Sequence, residues 1–189
     1  YETNNWNGIF SSDSEYLGLI NLARVKQIST LDQLDLNEHL SKIERDKLEN
    51  IEKEINTYKK THNLIDFTDM IQKFLDTNDV PEFDVIFVDE AQDLSLIQWS
   101  MINKIEKDTG CDVWVAGDDD QAIFGWAGAD VDSFINYDAT EIPLTKSERV
   151  PSSIQKIALD VIDLIQDNRI EKKYFPKSQS GEIYTRYKL

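Results

Sequence analysis

The chain is expected to be an α/β protein, a parallel sheet flanked by helices, with a small helical subdomain ahead of it. Residues 85–88, Val-Ile-Phe-Val, make an apolar run without alternation, as strands covered on both faces do. Residues 111–116, Cys-Asp-Val-Trp-Val-Ala, read as a second strand. Between them Leu94, Ile97, Met101, Ile102 and Ile105 fall near helical spacing, so the three segments form a βαβ unit with a right-handed crossover. Carboxylates follow both strands, Asp89-Glu90 after the first and Asp118-Asp119-Asp120 after the second. Both sets then share the edge where open α/β sheets keep their chemistry.

From the N-terminus, residues 1–62 are polar and helical, with Leu40, Ile43, Leu48, Ile51, Ile55 and Tyr58 forming one apolar stripe. Lys42, Lys47, Lys53, Lys59 and Lys60 on that segment suit either a solvated face or contacts to duplex. Asp66 and Asp69 stand where a helix carrying Met70, Ile71, Phe74 and Leu75 begins, and residues 78–81 turn the chain into the first strand. After the second strand, Phe124 and Trp126 beside Gly125 and Gly128 suit an irregular loop better than a helix. Pro151 restarts the chain, and Ile154, Ile157, Ala158, Val161, Ile162 and Ile165 describe an amphipathic helix ending near Asn168, with Arg149 at its entrance. Residues 176–189 read as a linker and a strand over 183–187 that has no sheet to join, a liability for self-association.

The adjacent Asp89 and Glu90 fit two readings. One carboxylate can hold a hydrated Mg²⁺ on nucleotide phosphates while the other deprotonates an attacking water. The pair equally suits the start of a helix, where carboxylates meet the dipole and free amides. Phe124 and Trp126 can offer flat faces to bases, with stacking worth roughly 1–3 kcal/mol per base, or close a loop over the sheet. Arg149 is either a partner for an oxyanion or a surface ion pair with Glu148.

Val88-Asp-Glu-Ala-Gln-Asp93 resembles motif II, the Walker B element, of superfamily 1 helicases of the UvrD/Rep kind, and residues 116–129 resemble their motif III. Residues 65–70, Ile-Asp-Phe-Thr-Asp-Met, precede them as in that family, and residues 144–154 resemble motif IV. Residues 168–174 and 181–184 resemble the crossing into a second motor domain, so the likeness is specific over about residues 63–184. The resemblance implies a RecA-like P-loop NTPase fold in three parts. These are a helical inserted subdomain (1–62), the second half of the first motor domain (63–175), and a linker with the first strand of the second (176–189). It further implies that Asp89 serves Mg²⁺ through water, Glu90 is the catalytic base, Gln121 senses the γ-phosphate of ATP and Arg149 supplies an arginine finger. Phe124 and Trp126 would stack on DNA, and Gln92, Asp93 and Asp118 would couple hydrolysis to motif III.

The match departs from the family at Ala127, where arginine is usual, and at Phe124, where tyrosine is usual. No Gly-rich loop ending in Gly-Lys-Ser or Gly-Lys-Thr occurs in the 189 residues. The expectation is therefore a piece of a longer ATP-dependent helicase, cut after motif Ia and inactive alone, whose partners are single-stranded DNA, the single-strand/duplex junction and the remainder of the helicase chain. A net charge of −16 repels phosphate, which leaves an acidic interaction module or DNA mimic as the alternative. No apolar run is long enough to span a membrane and no signal peptide is visible at Tyr1, so a cytoplasmic setting is expected. The single cysteine, Cys111, cannot form an internal disulfide, and with two histidines it argues against structural zinc.

Overall fold

The computed structural model describes residues 15–37, 43–165 and 169–184. In chain order they form α1 (Glu15–Val25), α2 (Thr30–Asp35), α3 (Arg45–His62), α4 (Phe67–Asp76), β1 (Val85–Val88), α5 (Leu96–Thr109), β2 (Asp112–Val115), α6 (Val131–Ile135), β3 (Lys146–Pro151), α7 (Ser152–Ile162) and β4 (Phe175–Lys177). β1 and β2 pair in parallel, as do β3 and β4. The result is a mixed α/β structure with small parallel sheets.

Two apolar clusters organise it. Leu19, Ile20, Leu34, Ile43 and Leu48 pack α1, α2 and α3 together, with Ile51 and Ile55 against them. Val88, Ala91, Trp99 and Ile102 join β1 to α5, with Val113 and Val115 of β2 and Phe134 of α6 alongside. α5 begins with a capping box between Ser95 and Gln98 and ends at Gly110, whose positive φ of 70° closes the helix. These caps set the length of the crossover and hence the register of β2 on β1. The α1 helix reaches the second unit too, because a Cβ on Gly128 would lie 2.5 Å from Val25 Cγ2.

A four-residue charge cluster ties the helices. Asp66 and Asp69 form the capping box of α4, each side chain accepting the other's backbone N–H, at 2.8 and 2.9 Å. Arg24 of α1 donates to Asp66 at 2.7 Å and to Asp69 at 2.5 Å, while Lys59 of α3 donates to the same carboxylates at 2.5 and 2.8 Å. Burial pushes the Asp66 carboxyl up, but hydrogen bonds from Arg24 and Lys59 outweigh it and hold the group below the usual carboxylate range.

Several expectations are corrected. β1 is covered on one face only within the described residues: Phe87 is 78% exposed and stacks beside exposed Trp114 of β2 at 6.5 Å. Arg149 lies within strand β3 rather than at the mouth of a helix, since residues 146–151 pair with β4 before α7 starts at Ser152. α7 stops at Ile162, and Leu164 and Ile165 follow it exposed. The last strand among the described residues is Phe175–Lys177, which has a partner, and Ile183 and Tyr184 are not strand. Leu40, Lys42, Asn168 and residues 185–187 lie outside the described residues.

Replacing Arg24 with Met is expected to lower stability by about 2 kcal/mol in urea unfolding at pH 7, the scale of hydrogen bonds to charged groups. Because the folded Asp66 value lies below the unfolded one, its contribution is complete above about pH 4 and fades as pH falls from there. The difference between the two proteins should narrow over that acid window.

Candidate functional site

The parallel pairing of β1 and β2 continues beyond the strands into the turns. The Ala116 N–H donates to the Val88 carbonyl at 2.7 Å, and the Ala91 N–H donates to the Ala116 carbonyl at 2.9 Å. Residues 89–93 and 117–121 therefore leave one edge already pinned to each other. Glu90 adopts a left-handed conformation, φ 51° and ψ 43°, which costs a non-glycine residue on the order of 1 kcal/mol. The turn it creates is closed by the Asp93 N–H on the Glu90 carbonyl at 3.0 Å, and Asp89 Oδ1 accepts the Glu90 N–H at 3.0 Å. Both carboxylates face solvent.

Gln92 is 2% exposed and joins the two turns. Its Nε2 donates to Glu90 Oε2 at 2.9 Å, and its Oε1 accepts the Asp118 N–H at 3.0 Å. Gly117 makes room for it, since a Cβ there would lie 2.7 Å from Gln92 Oε1 and 3.0 Å from the Phe134 ring. Asp118 carries the connection onward: its Oδ2 accepts from Gln121 Nε2 at 2.6 Å and its Oδ1 accepts the Asp120 N–H at 3.2 Å. Glu90, Gln92, Asp118 and Gln121 thus form one unbroken hydrogen-bonded line across the edge. Asp93 sits beside it with a buried Oδ1 that has no hydrogen-bond partner among the described residues, and burial followed by the Glu90 charge raises its carboxyl.

The three consecutive aspartates are held by a remote basic segment. Lys172 Nζ lies 2.5 Å from Asp118 Oδ1, pairs also with Asp119, and lies 3.4 Å from Asp120 Oδ2. Arg169 Nε donates to Asp120 Oδ1 at 2.7 Å, and the Ile170 N–H donates to Asp119 Oδ2 at 2.7 Å. The Asp119 and Asp120 side chains are 1% and 3% exposed. Burial pushes the Asp118 carboxyl up, but Lys172 and Gln121 bring it below its ordinary value. Neither cation was assigned a role from sequence, where the signal is three consecutive aspartates with no adjacent countercharge.

The remaining candidates are more scattered. Phe124 caps a single 3-10 turn, Gly125–Ala127, that contains Trp126, so the segment expected to be an irregular loop is locally helical; the two ring centroids are 6.3 Å apart and the residues are 41% and 44% exposed. Arg149 is exposed on β3, and no hydrogen bond joins its side chain to Glu90 or Gln121 among the described residues. Glu148 pairs with Lys146 at 2.6 Å rather than with Arg149. No three carboxylate, imidazole or thiolate groups converge as a metal cage among the described residues. A divalent ion at Asp89 would depend on ligand oxygens and water, as Mg²⁺ sites commonly do. No helix among those residues is long and apolar enough to cross a membrane.

Residues 3–141 match the model of the UvrD/REP helicase N-terminal domain. Among curated relatives, DNA helicase II of Escherichia coli is 37% identical over 110 residues, covering 56% of this chain and 15% of its own length. DNA helicase II of Haemophilus influenzae is 34% identical over 104 residues, 53% of this chain and 14% of its own. The ATP-dependent DNA helicase PcrA of Leuconostoc citreum is 28% identical over 138 residues, 66% of this chain and 18% of its own. The chain thus spans less than a fifth of these relatives' lengths.

Gly117→Ala should displace the Gln92 amide, costing about 1–3 kcal/mol in urea unfolding as overpacked sites do, and should speed hydrogen exchange at the Asp118 N–H. An unchanged exchange rate would show that the amide line tolerates a Cβ there.

Proposed function

Because the chain belongs to the UvrD/REP helicase N-terminal domain family, we propose that it contributes the hydrolytic edge of a RecA-like motor domain in an ATP-dependent DNA helicase. That motor would move on single-stranded DNA and open duplex at the junction. The observation that carries this reading is the line Glu90–Gln92–Asp118–Gln121, which crosses from the end of one parallel strand to the end of its neighbour. Such a line suits an edge that must both activate a water and register a phosphate.

Glu90 is the group that would take the proton of the attacking water, with Gln92 holding one carboxylate oxygen so that the other can face the nucleophile. Asp89, exposed at the strand end, fits a water-mediated contact to Mg²⁺, a hard ion content with one protein carboxylate. Mg-ATP, when bound, supplies the phosphoanhydride to be cleaved and a cation to neutralise it. Gln121 offers a neutral amide for the γ-phosphate, at no cost of burying a charge. Arg149 offers a planar, permanent cation suited to the oxyanion. The loop that would cradle the phosphates is not among these residues, so turnover is assigned to a protein that supplies one.

For the DNA, Phe124 and Trp126 present adjacent rings to solvent on the turn that follows Gln121. Stacking there would grip single strands without reading their sequence, and would do so despite the acidic surface. Gln92, Asp93 and Asp118 would couple that turn to the hydrolytic carboxylate. The proposed division is a helical inserted subdomain over residues 1–62, motor-domain residues over 63–175 and the passage to a second motor domain from 176 onward.

In the complete protein, Glu90→Gln is expected to reduce ATP turnover at least about 100-fold while leaving nucleotide affinity within a few fold, measured by phosphate release and by equilibrium binding. Retained turnover would overturn the assignment of the base. Trp126→Ala should lower the DNA-stimulated rate about tenfold and the basal rate much less, matching the scale of one lost stacking contact. Equal losses in both rates would remove the stacking role.

A further inference from the structure

We propose that Lys172 is a positioning residue for Gln121 and Glu90, acting through the Asp118 carboxylate. The inference rests on the reading of this edge as an ATP-hydrolysing one. Asp118 divides its two oxygens: Oδ1 faces the Lys172 ammonium at 2.5 Å, and Oδ2 holds Gln121 Nε2 at 2.6 Å. Its backbone N–H is bound to Gln92, whose other end is bound to Glu90. Lys172 lies 54 residues away in sequence, on the segment that leads into β4, yet it touches the residue from which both candidate hydrolytic side chains are hung.

The charge balance shows why this contact matters. Three adjacent carboxylates face two side-chain cations, Lys172 and Arg169, and a single backbone N–H from Ile170. Arg169 pairs with Asp120, whereas the Lys172 ammonium meets both Asp118 and Asp119, the latter also taking the Ile170 N–H, so among the described residues Asp118 has Lys172 as its paired cation. Without the ammonium, Asp118 would face its neighbours' like charge undiminished. Its carboxylate would then swing or bind the Gln121 amide more tightly. A phosphate would compete with Asp118 for the Gln121 amide, so the ammonium sets how readily the sensor is shared or released. It also makes that release answer to the position of the 169–172 segment.

The test uses the full-length protein. Lys172→Met and Asp118→Asn are compared with wild type by ATP turnover, KM for ATP, thermal melting, and the ratio of affinities for ADP and a non-hydrolysable ATP analogue. The expected result is a kcat reduced about tenfold or more in each with KM within about threefold, and a diminished preference for the analogue over ADP, the signature of a disturbed γ-phosphate contact. The double variant should lose little beyond either single one, since both act on one line. Lys172→Arg, which keeps the charge, should recover at least half the rate. Wild-type kcat and analogue preference in a folded Lys172→Met protein would overturn the inference. Should that variant not fold, Asp118→Asn leaves Asp119 and Asp120 paired, and an unaltered kcat there would overturn it equally. Absence of ATP turnover in the wild-type protein would instead sink the underlying reading of the edge.

Discussion

The edge of the β1–β2 pair depends on one neutral amide. Gln92 is buried and must donate on one side, to a carboxylate, and accept on the other, from a backbone N–H. A glutamate of the same shape would set two carboxylates against each other, and a leucine would leave the Asp118 N–H without a partner. The partners also fix which way the amide points, because the flipped orientation would place donor on donor and acceptor on acceptor. Neighbouring features serve this one side chain. Gly117 forgoes a Cβ to admit it, Phe134 packs behind, and Glu90 accepts a left-handed backbone so that its carboxylate meets Nε2.

The same economy governs charge. In a chain of net charge −16, cations are scarce, and the structure spends them where carboxylates are forced together by local sequence. Asp66 and Asp69 are brought together by a capping box, and Arg24 and Lys59 arrive from two other helices. Asp118, Asp119 and Asp120 are neighbours in the chain, and Lys172 and Arg169 arrive from far downstream. In both places a short acidic motif specifies where remote helices or segments must dock, so the ion pairs act as addresses more than as sources of stability.

Much of this was legible in the sequence. The unbroken run 85–88, the helical spacing of Ile97 and Ile102 and the acidic ends were enough to place two parallel strands with their carboxylates on one edge. The capping role of Asp66 and Asp69 followed from their spacing. What stayed hidden was nonlocal. Nothing in the spacing of Lys172 ties it to Asp118, because a cation's partner is set by tertiary docking and not by periodicity. Phe87 misled for a related reason: an apolar strand residue announces that a face is meant to be covered, without saying that the covering atoms lie among these residues. β4 was missed because Phe-Pro-Lys carries no strand pattern, and its pairing with β3 supplies the order that its own three residues lack.

The uncovered face of Phe87 and Trp114 has a colloidal consequence. Two large aromatic rings side by side on a strand pair, exposed among the described residues, make an adhesive patch, and mutual repulsion between strongly anionic copies opposes contact through it. That repulsion vanishes near the isoelectric point, about 4.4, where carboxylates begin to take up protons. Handling this chain in mildly acidic or very salty buffer therefore removes the barrier while leaving the sticky face untouched, and solubility becomes a property of its electrostatic double layer.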